Sequence, residues 1–292
     1  MNSIAYRKFK KEMGQANHFL ITIMIGLDAV EDGAQKKSEF KTSWNPQDVT
    51  ASVIRSKIYA IKSALAWTVD NLDMYLRLCN RKPRLLNSNE SDEFSKTKHS
   101  VYKKYKTIVT NHPELETNKK AFVDLLVCWR NNLVHFDAEN QMLEESKKYF
   151  DKGVKNDEQL KQYNFDEIDM LKRFNEGGCP TFKETTTLIS MTIHFVKQLD
   201  ALLLSEIKQE LYLDEILCHK MKNKDEIRKI FGYGSESIEQ KIKSIRQYLV
   251  TFGITDEFIN KDGKKYIEDI AKLHIAEIKE RLKDHTLIKA ST

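Results

Sequence analysis

The chain has 292 residues, of which 40% are hydrophobic and 31% charged, too apolar for a disordered chain and enough for a real core. Its formal net charge of +5 permits contact with nucleic acid but falls short of a purely charge-driven binder. Gly (10) and Pro (4) are scarce, which argues against an all-β fold with its many turns and favours long helices joined by few loops. The expected class is therefore all-α.

In chain order, Tyr6, Phe9, Met13, Ala16, Leu20, Ile23 and Leu27 fall at spacings of three and four, predicting one helix over residues 3–32 that stops at Asp32-Gly33. The longest apolar run, Phe19 to Leu27, is too short for the roughly 20 residues that cross a bilayer and reads as a buried helix. It also lacks the features of a signal peptide. A polar loop over 34–46 precedes a broad, central helix over 48–79, which Arg81-Lys82-Pro83-Arg84 ends. Residues 86–96 read as an exposed loop, 97–110 as a shorter helix and 117–136 as another, with Phe122, Leu125, Leu126, Trp129, Leu133 and Val134 as its apolar set.

Residues 137–180 are polar, with amphipathic spacing at 141–150 and 165–175, and Gly177-Gly178-Cys179-Pro180 marks a loop. A long helix follows over 182–211. Shorter ones are expected near 213–231, 235–252 and 264–284, with a turn at Lys261-Asp262-Gly263-Lys264 that admits a small hairpin. A soft boundary near 212 divides the chain into 1–212 and a C-terminal helical region, 213–292. The cysteines Cys79, Cys128, Cys179 and Cys218 form no C-x-x-C pair, a pattern suited to free thiols in a reducing cytosol.

The segment with recognisable chemistry is Arg130-Asn131-Asn132-Leu133-Val134-His135. Asn131 and His135, four apart, share a helix face, while Arg130 lies about 140° from His135 but has the length to swing toward it. The bland reading is a helix-end pair, since Arg and His both complement the negative end of the helix dipole.

Here the sequence resembles the HEPN superfamily, whose R-N-x-x-x-H form is matched by Arg130, Asn131 and His135, over roughly residues 1–212. The resemblance implies an antiparallel helical bundle with the motif on a late helix, and a metal-independent endoribonuclease with no cofactor. In it Arg130 and His135 would be catalytic, with Asn131 in support. Acid-base cleavage works better with two motifs, so a homodimer pairing the helix at 117–136 across a two-fold axis is expected. The implied partners are RNA and a second copy, with room for a protein inhibitor or antitoxin, and no membrane. A cytoplasmic toxin or anti-phage effector is the implied setting. One departure is Asp137, where some HEPN toxins have Tyr, so that form of regulation is not inferred.

Lys103, Lys104 and Lys106 with Tyr102 form a basic, aromatic mixture able to hold phosphates and stack bases, against the plainer reading of a solvated helix face. Asp70-Asp73 and Asp166-Glu167-Asp169 read as surface charge. No metal site is expected, because His194, His219 and His274 lie in separate helices without metal-like spacing. The rival functions are a non-catalytic helical interaction module and a regulator that binds DNA through its C-terminal helices.

Overall fold

The computed structural model describes residues 2–134, 140–152, 166–221, 224–231 and 236–288. Among them the chain is α-helical with no strand, as its composition predicts. The hairpin expected at 261–264 is absent from the described residues. Instead Asn260 accepts a hydrogen bond from the Gly263 amide at 3.0 Å and starts a helix.

The helices are α1 (Ile4–Met13), α2 (Ala16–Glu31), α3 (Val49–Cys79), α4 (Ser88–Ser95), α5 (Val101–Asn111), α6 (Thr117–Val134) and α7 (Glu144–Asp151), followed by α8 (Glu167–Asn175) and α9 (Phe182–Glu206). The C-terminal series is α10 (Gln209–Lys220), α11 (Lys224–Phe231), α12 (Ile238–Thr251), α13 (Lys261–Ala271) and α14 (Ile275–Arg281).

Several expectations are corrected, among them the helices near 213–231 and 264–284, each of which is two. The single helix over 3–32 is two, parted at Gly14-Gln15, where a Cβ on Gly14 would stand 2.7 Å from the Lys10 carbonyl oxygen. The exposed loop at 86–96 is α4. Asn87 and Glu90 form a reciprocal capping box there, and the helix buries Glu90, Ser91 and Phe94. The long helix over 182–211 ends at Glu206, and α10 begins after the extended Lys208.

The chain forms two compact units that are not consecutive in sequence. One comprises Met1–Lys8, Tyr75–Lys98 and Lys197–Thr292, the other Phe9–Met74 and His99–Val196. In the first, α10 packs on α13, and α12 on both α11 and α13. Two buried carboxylates organise it. Asp200 accepts from the Ser3 amide (2.9 Å), the Ser3 hydroxyl and the Tyr75 hydroxyl (3.3 Å), which ties down the N-terminal residues. Asp214 accepts from Tyr266 Oη (2.9 Å), Thr286 Oγ1 (3.1 Å) and the Leu287 amide (2.9 Å), which anchors the last described turn.

In the second unit α6 packs on α5 and α7, and α7 on α8. Aromatic pairs join α6 to α7 and α8, and α5 to α9. Phe122 meets Phe150 at 5.2 Å, Tyr105 meets Phe195 at 5.8 Å, and Trp129 meets Phe174 at 5.7 Å between ring centroids. The Gly177-Gly178 loop is held by the Trp129 indole, which donates to the Gly178 carbonyl at 2.8 Å, and Gly177 takes a positive φ of 70°. Arg173 grips Glu184 with two nitrogens, at 3.2 and 2.9 Å.

By length and composition α9 alone among the described helices could cross a bilayer. Its Leu188, Ile189, Phe195 and Leu199 are nevertheless buried in the protein. The apolar run on α2 behaves oppositely. It was expected to be buried, yet only Leu20 is, and Phe19, Ile21, Ile23 and Ile25 are exposed.

Candidate functional site

Helix α6 is the spine of the candidate site. Every residue from Ala121 to Trp129 is buried, because the flanking helices cover all its sides. Burial relaxes at Arg130, and Val134 is exposed. Arg130, Asn131 and Asn132 therefore occupy the turn at which a buried helix reaches the surface. A partner of any kind meets α6 there and not along its length.

Asn131 and Asp70 both bind the Arg130 side chain. Its Nη1 donates to Asn131 Oδ1 at 3.0 Å, and its Nη2 to Asp70 Oδ1 of α3 at 3.1 Å. Asp70 itself is largely exposed, whereas the Arg130 side chain is 14% exposed. The guanidinium thus has one edge fixed from behind and faces a carboxylate free to swing away. Asn131, expected to support the motif, holds Arg130 through that bond. His135 and Asp137 lie outside the described residues.

Asn132 works in a different direction. Its Oδ1 accepts from the Asn140 amide at 3.1 Å, and its Nδ2 reaches the Asn140 carbonyl at 3.5 Å. The residues flanking 135–139 are thus bonded to each other. A second clamp lies deeper, where Asp124 accepts from the Leu143 amide at 2.6 Å and from Cys128 Sγ at 3.9 Å. Burial raises the Asp124 carboxyl above its usual range, while hydrogen bonds from Ser146 and Leu143 pull the other way. The sequence reading missed Asp124. Its signal was a lone carboxylate inside an apolar helical stretch, which is costly unless it has partners.

Beside this turn lies a cavity of about 600 Å³ with Asn132, Asn140, Gln141, Asn175, Lys147 and Asp151 among its walls. Amide side chains carry a donor and an acceptor side by side, the pattern that matches a base edge. Phe174, which stacks edge-on against Trp129, forms part of the same wall.

The basic cluster of α5 divides in two. Lys104 is buried, and its ammonium lies 2.6 Å from Asp73 Oδ1, so it is a structural ion pair and not a surface contact for RNA. Lys103 and Lys106 are exposed. Tyr102 is half-buried and donates to the Gln141 carbonyl at 3.0 Å, so it borders the amide-lined cavity. Burial, with Asp124 and Cys128 nearby, raises its phenol to about 12.

Asp73, read from sequence as surface charge, is instead mostly buried and ties α3 to α5 through Lys104, whereas Asp70 stands largely exposed, as read, while pairing with Arg130 of α6. Asp166 caps α8 by accepting from the Ile168 and Asp169 amides. In comparisons with family models, curated proteins and solved structures, none matches this chain.

Proposed function

We propose that the chain is a HEPN-type endoribonuclease that cleaves single-stranded RNA without a metal, working as a homodimer. The observation that carries this reading is the placement of Arg130-Asn131-Asn132 on the surfacing turn of an otherwise buried helix, beside an amide-lined cavity. RNA brings its own nucleophile, the ribose 2′-OH. An imidazole at His135 is suited to accept that proton and to protonate the leaving 5′-oxygen, because its pKa lies near neutrality. The Arg130 guanidinium is suited to the charge that develops on the phosphate, since its forked donors stay ionised. Asn131 keeps that fork oriented. Binding of a phosphate would replace the Asp70 carboxylate at Nη2. A role in toxin or anti-phage action rests on the family resemblance alone.

A second reading, a non-catalytic helical module, is favoured by the same Arg130–Asp70 ion pair, which explains the arginine without any substrate. The test separates them. Full-length protein is incubated with single-stranded RNA in EDTA beside Arg130→Ala and His135→Ala. Cleavage by the wild type that both substitutions abolish supports the enzyme. Cleavage equal in all three samples, or in none, leaves the module.

A further inference from the structure

Helix α7 carries a cation and an anion on one side. Lys147 and Asp151 stand four residues apart and share a face, yet they are not bonded to each other. Lys147 pairs with Glu144 at 2.9 Å, and Asp151 has no hydrogen-bond or ion-pair partner among the described residues. Both line the cavity of about 600 Å³ beside the end of α6.

The adjoining wall is held from two other helices. Asn132 of α6 accepts from the Asn140 amide at 3.1 Å and donates to its carbonyl at 3.5 Å. Tyr102 of α5 donates to the Gln141 carbonyl at 3.0 Å, and Asp124 of α6 accepts from the Leu143 amide at 2.6 Å. These bonds fix the backbone over 140–143, while the side-chain amides of Asn140 and Gln141 make no bond among the described residues. Asn175, at the end of α8, adds a third such amide. Met142, Leu171 and the Phe174 ring give the cavity apolar walls. Apolar walls with a few fixed polar groups are the usual form of a small-molecule site, and the volume lies in the common range of about 300–1,000 Å³.

We infer that this cavity reads a guanine base. Guanine N1–H and its N2 amino group are adjacent donors, a fork that a carboxylate accepts with both oxygens, and O6 beside them is an acceptor for an ammonium. Asp151 and Lys147 supply those two groups from one face of α7. An ammonium has three donors, so Lys147 serves O6 without releasing Glu144. Adenine presents an acceptor, N1, where Asp151 needs a donor, and an amino group where Lys147 needs an acceptor. Cytosine and uracil each offer the carboxylate a single donor group in place of the fork. The remaining acceptors of guanine, N7 and N3, suit the amide donors of Gln141 and Asn175.

The same edge is carried by guanine in RNA and in a free nucleotide. The inference rests on the ribonuclease reading for the first source, single-stranded RNA, whose unstacked bases expose that edge. Arg130 and Asn132, two residues apart, stand about 200° apart around α6. An RNA that meets both the guanidinium and this cavity therefore crosses the end of the helix. The guanine held here then belongs to a neighbour of the nucleotide at the scissile phosphate. It selects the sequence that is cut without touching the reacting atoms.

The test is binding by the full-length chain in EDTA. The probes are fluorescein-labelled pentamers with G, A, C or U between uridines, made with 2′-fluoro sugars so that none can be cut, together with GMP and AMP. The wild type is expected to hold the guanine pentamer roughly tenfold tighter than the adenine pentamer, and GMP tighter than AMP. Asp151→Asn is expected to bring the four pentamers within about threefold of one another, with unchanged circular dichroism and melting temperature. Asp151→Glu should keep part of the preference. Equal binding of all four pentamers and of both nucleotides by the wild type, a preference for another base, or a guanine preference that survives Asp151→Asn overturns the inference. A guanine preference among pentamers alone identifies RNA as the source, and one between nucleotides alone identifies a free nucleotide. Cleavage of the all-ribose pentamers reports the nuclease reading separately. Guanine preference without cleavage keeps the cavity and loses the enzyme, whereas cleavage without base preference keeps the enzyme and loses the cavity.

Discussion

The Arg130 guanidinium of α6 donates to the Asp70 carboxylate of α3 across 3.1 Å, linking residues 60 apart in sequence. The pair is asymmetric. Arg130 is held close to the protein by Asn131, and Asp70 stands mostly in solvent. An exposed partner contributes about 0–1 kcal/mol to stability. Asp70→Asn is therefore expected to shift the urea midpoint little, while, on the proposed reading, RNA binding rises because a negative charge beside the guanidinium is removed. Arg130→Ala is expected to lower cleavage about 10²-fold or more. An Asp70→Asn protein that loses stability strongly without gain of RNA binding would show that the pair is purely structural.

Asp124, Asp200 and Asp214 share one electrostatic property. Burial is the largest influence on each and raises the carboxyl pKa from the ordinary 3.8. A folded-state pKa above the unfolded one contributes stability that is present below the unfolded value and is lost as pH rises through the folded value. Their combined contribution should thus decline from about pH 4 upward. Asp124→Asn, which has no carboxyl to ionise, is expected to improve relative to the wild type between pH 4 and 7. Urea unfolding of both proteins across that window checks the sign, and an opposite slope would refute it.

Two glycines, one at the α1–α2 break and one within α2, should respond in opposite ways. A methyl at Gly14 meets the Lys10 carbonyl oxygen at 2.7 Å, a backbone atom with no freedom to swing aside. Gly14→Ala is expected to destabilise by about 1–3 kcal/mol. Gly26 has open space, and Gly26→Ala should stabilise the protomer by about 0.5–1 kcal/mol through helix propensity. Thermal unfolding at low protein concentration distinguishes the two.

The thiols are ranked by burial. Cys79 and Cys128 are buried, and desolvation pushes both far above the usual thiol range. Cys218 is raised to about 12 by burial, with Asp214 adding to it. Cys179, beside the glycine pair, is raised less and is partly exposed. Iodoacetamide at pH 8 is expected to label Cys179 first and slowly, and Cys79 and Cys128 only after denaturation. Mass spectrometry of timed samples checks the order, and early labelling of Cys128 would contradict the buried placement of α6.

Much of the fold was legible because helices announce themselves through three-and-four spacing. The extents of α3 and α6 follow from Val53, Leu65, Leu72 and from Phe122 to Val134, whose pattern needs no knowledge of neighbours. The α1–α2 break was hidden because a glycine clash depends on a backbone approach, and α4 was hidden because its polar sequence is a helix only through the Asn87–Glu90 caps. The R-N-x-x-x-H motif was readable as letters. Its setting was not, since which basic side chains of α5 and α6 pair with Asp70 and Asp73 depends on how α3 faces those helices.

By itself the sequence determined the helical class, the approximate helices and the candidate residues Arg130 and Asn131. These are local properties, written in composition and period. Only the tertiary structure decided that Lys104 is internal, that Asp70 restrains Arg130, and that the most apolar helix stands open. Burial and ion pairing are relations between segments distant along the chain, and periodicity marks which face is apolar without naming what covers it.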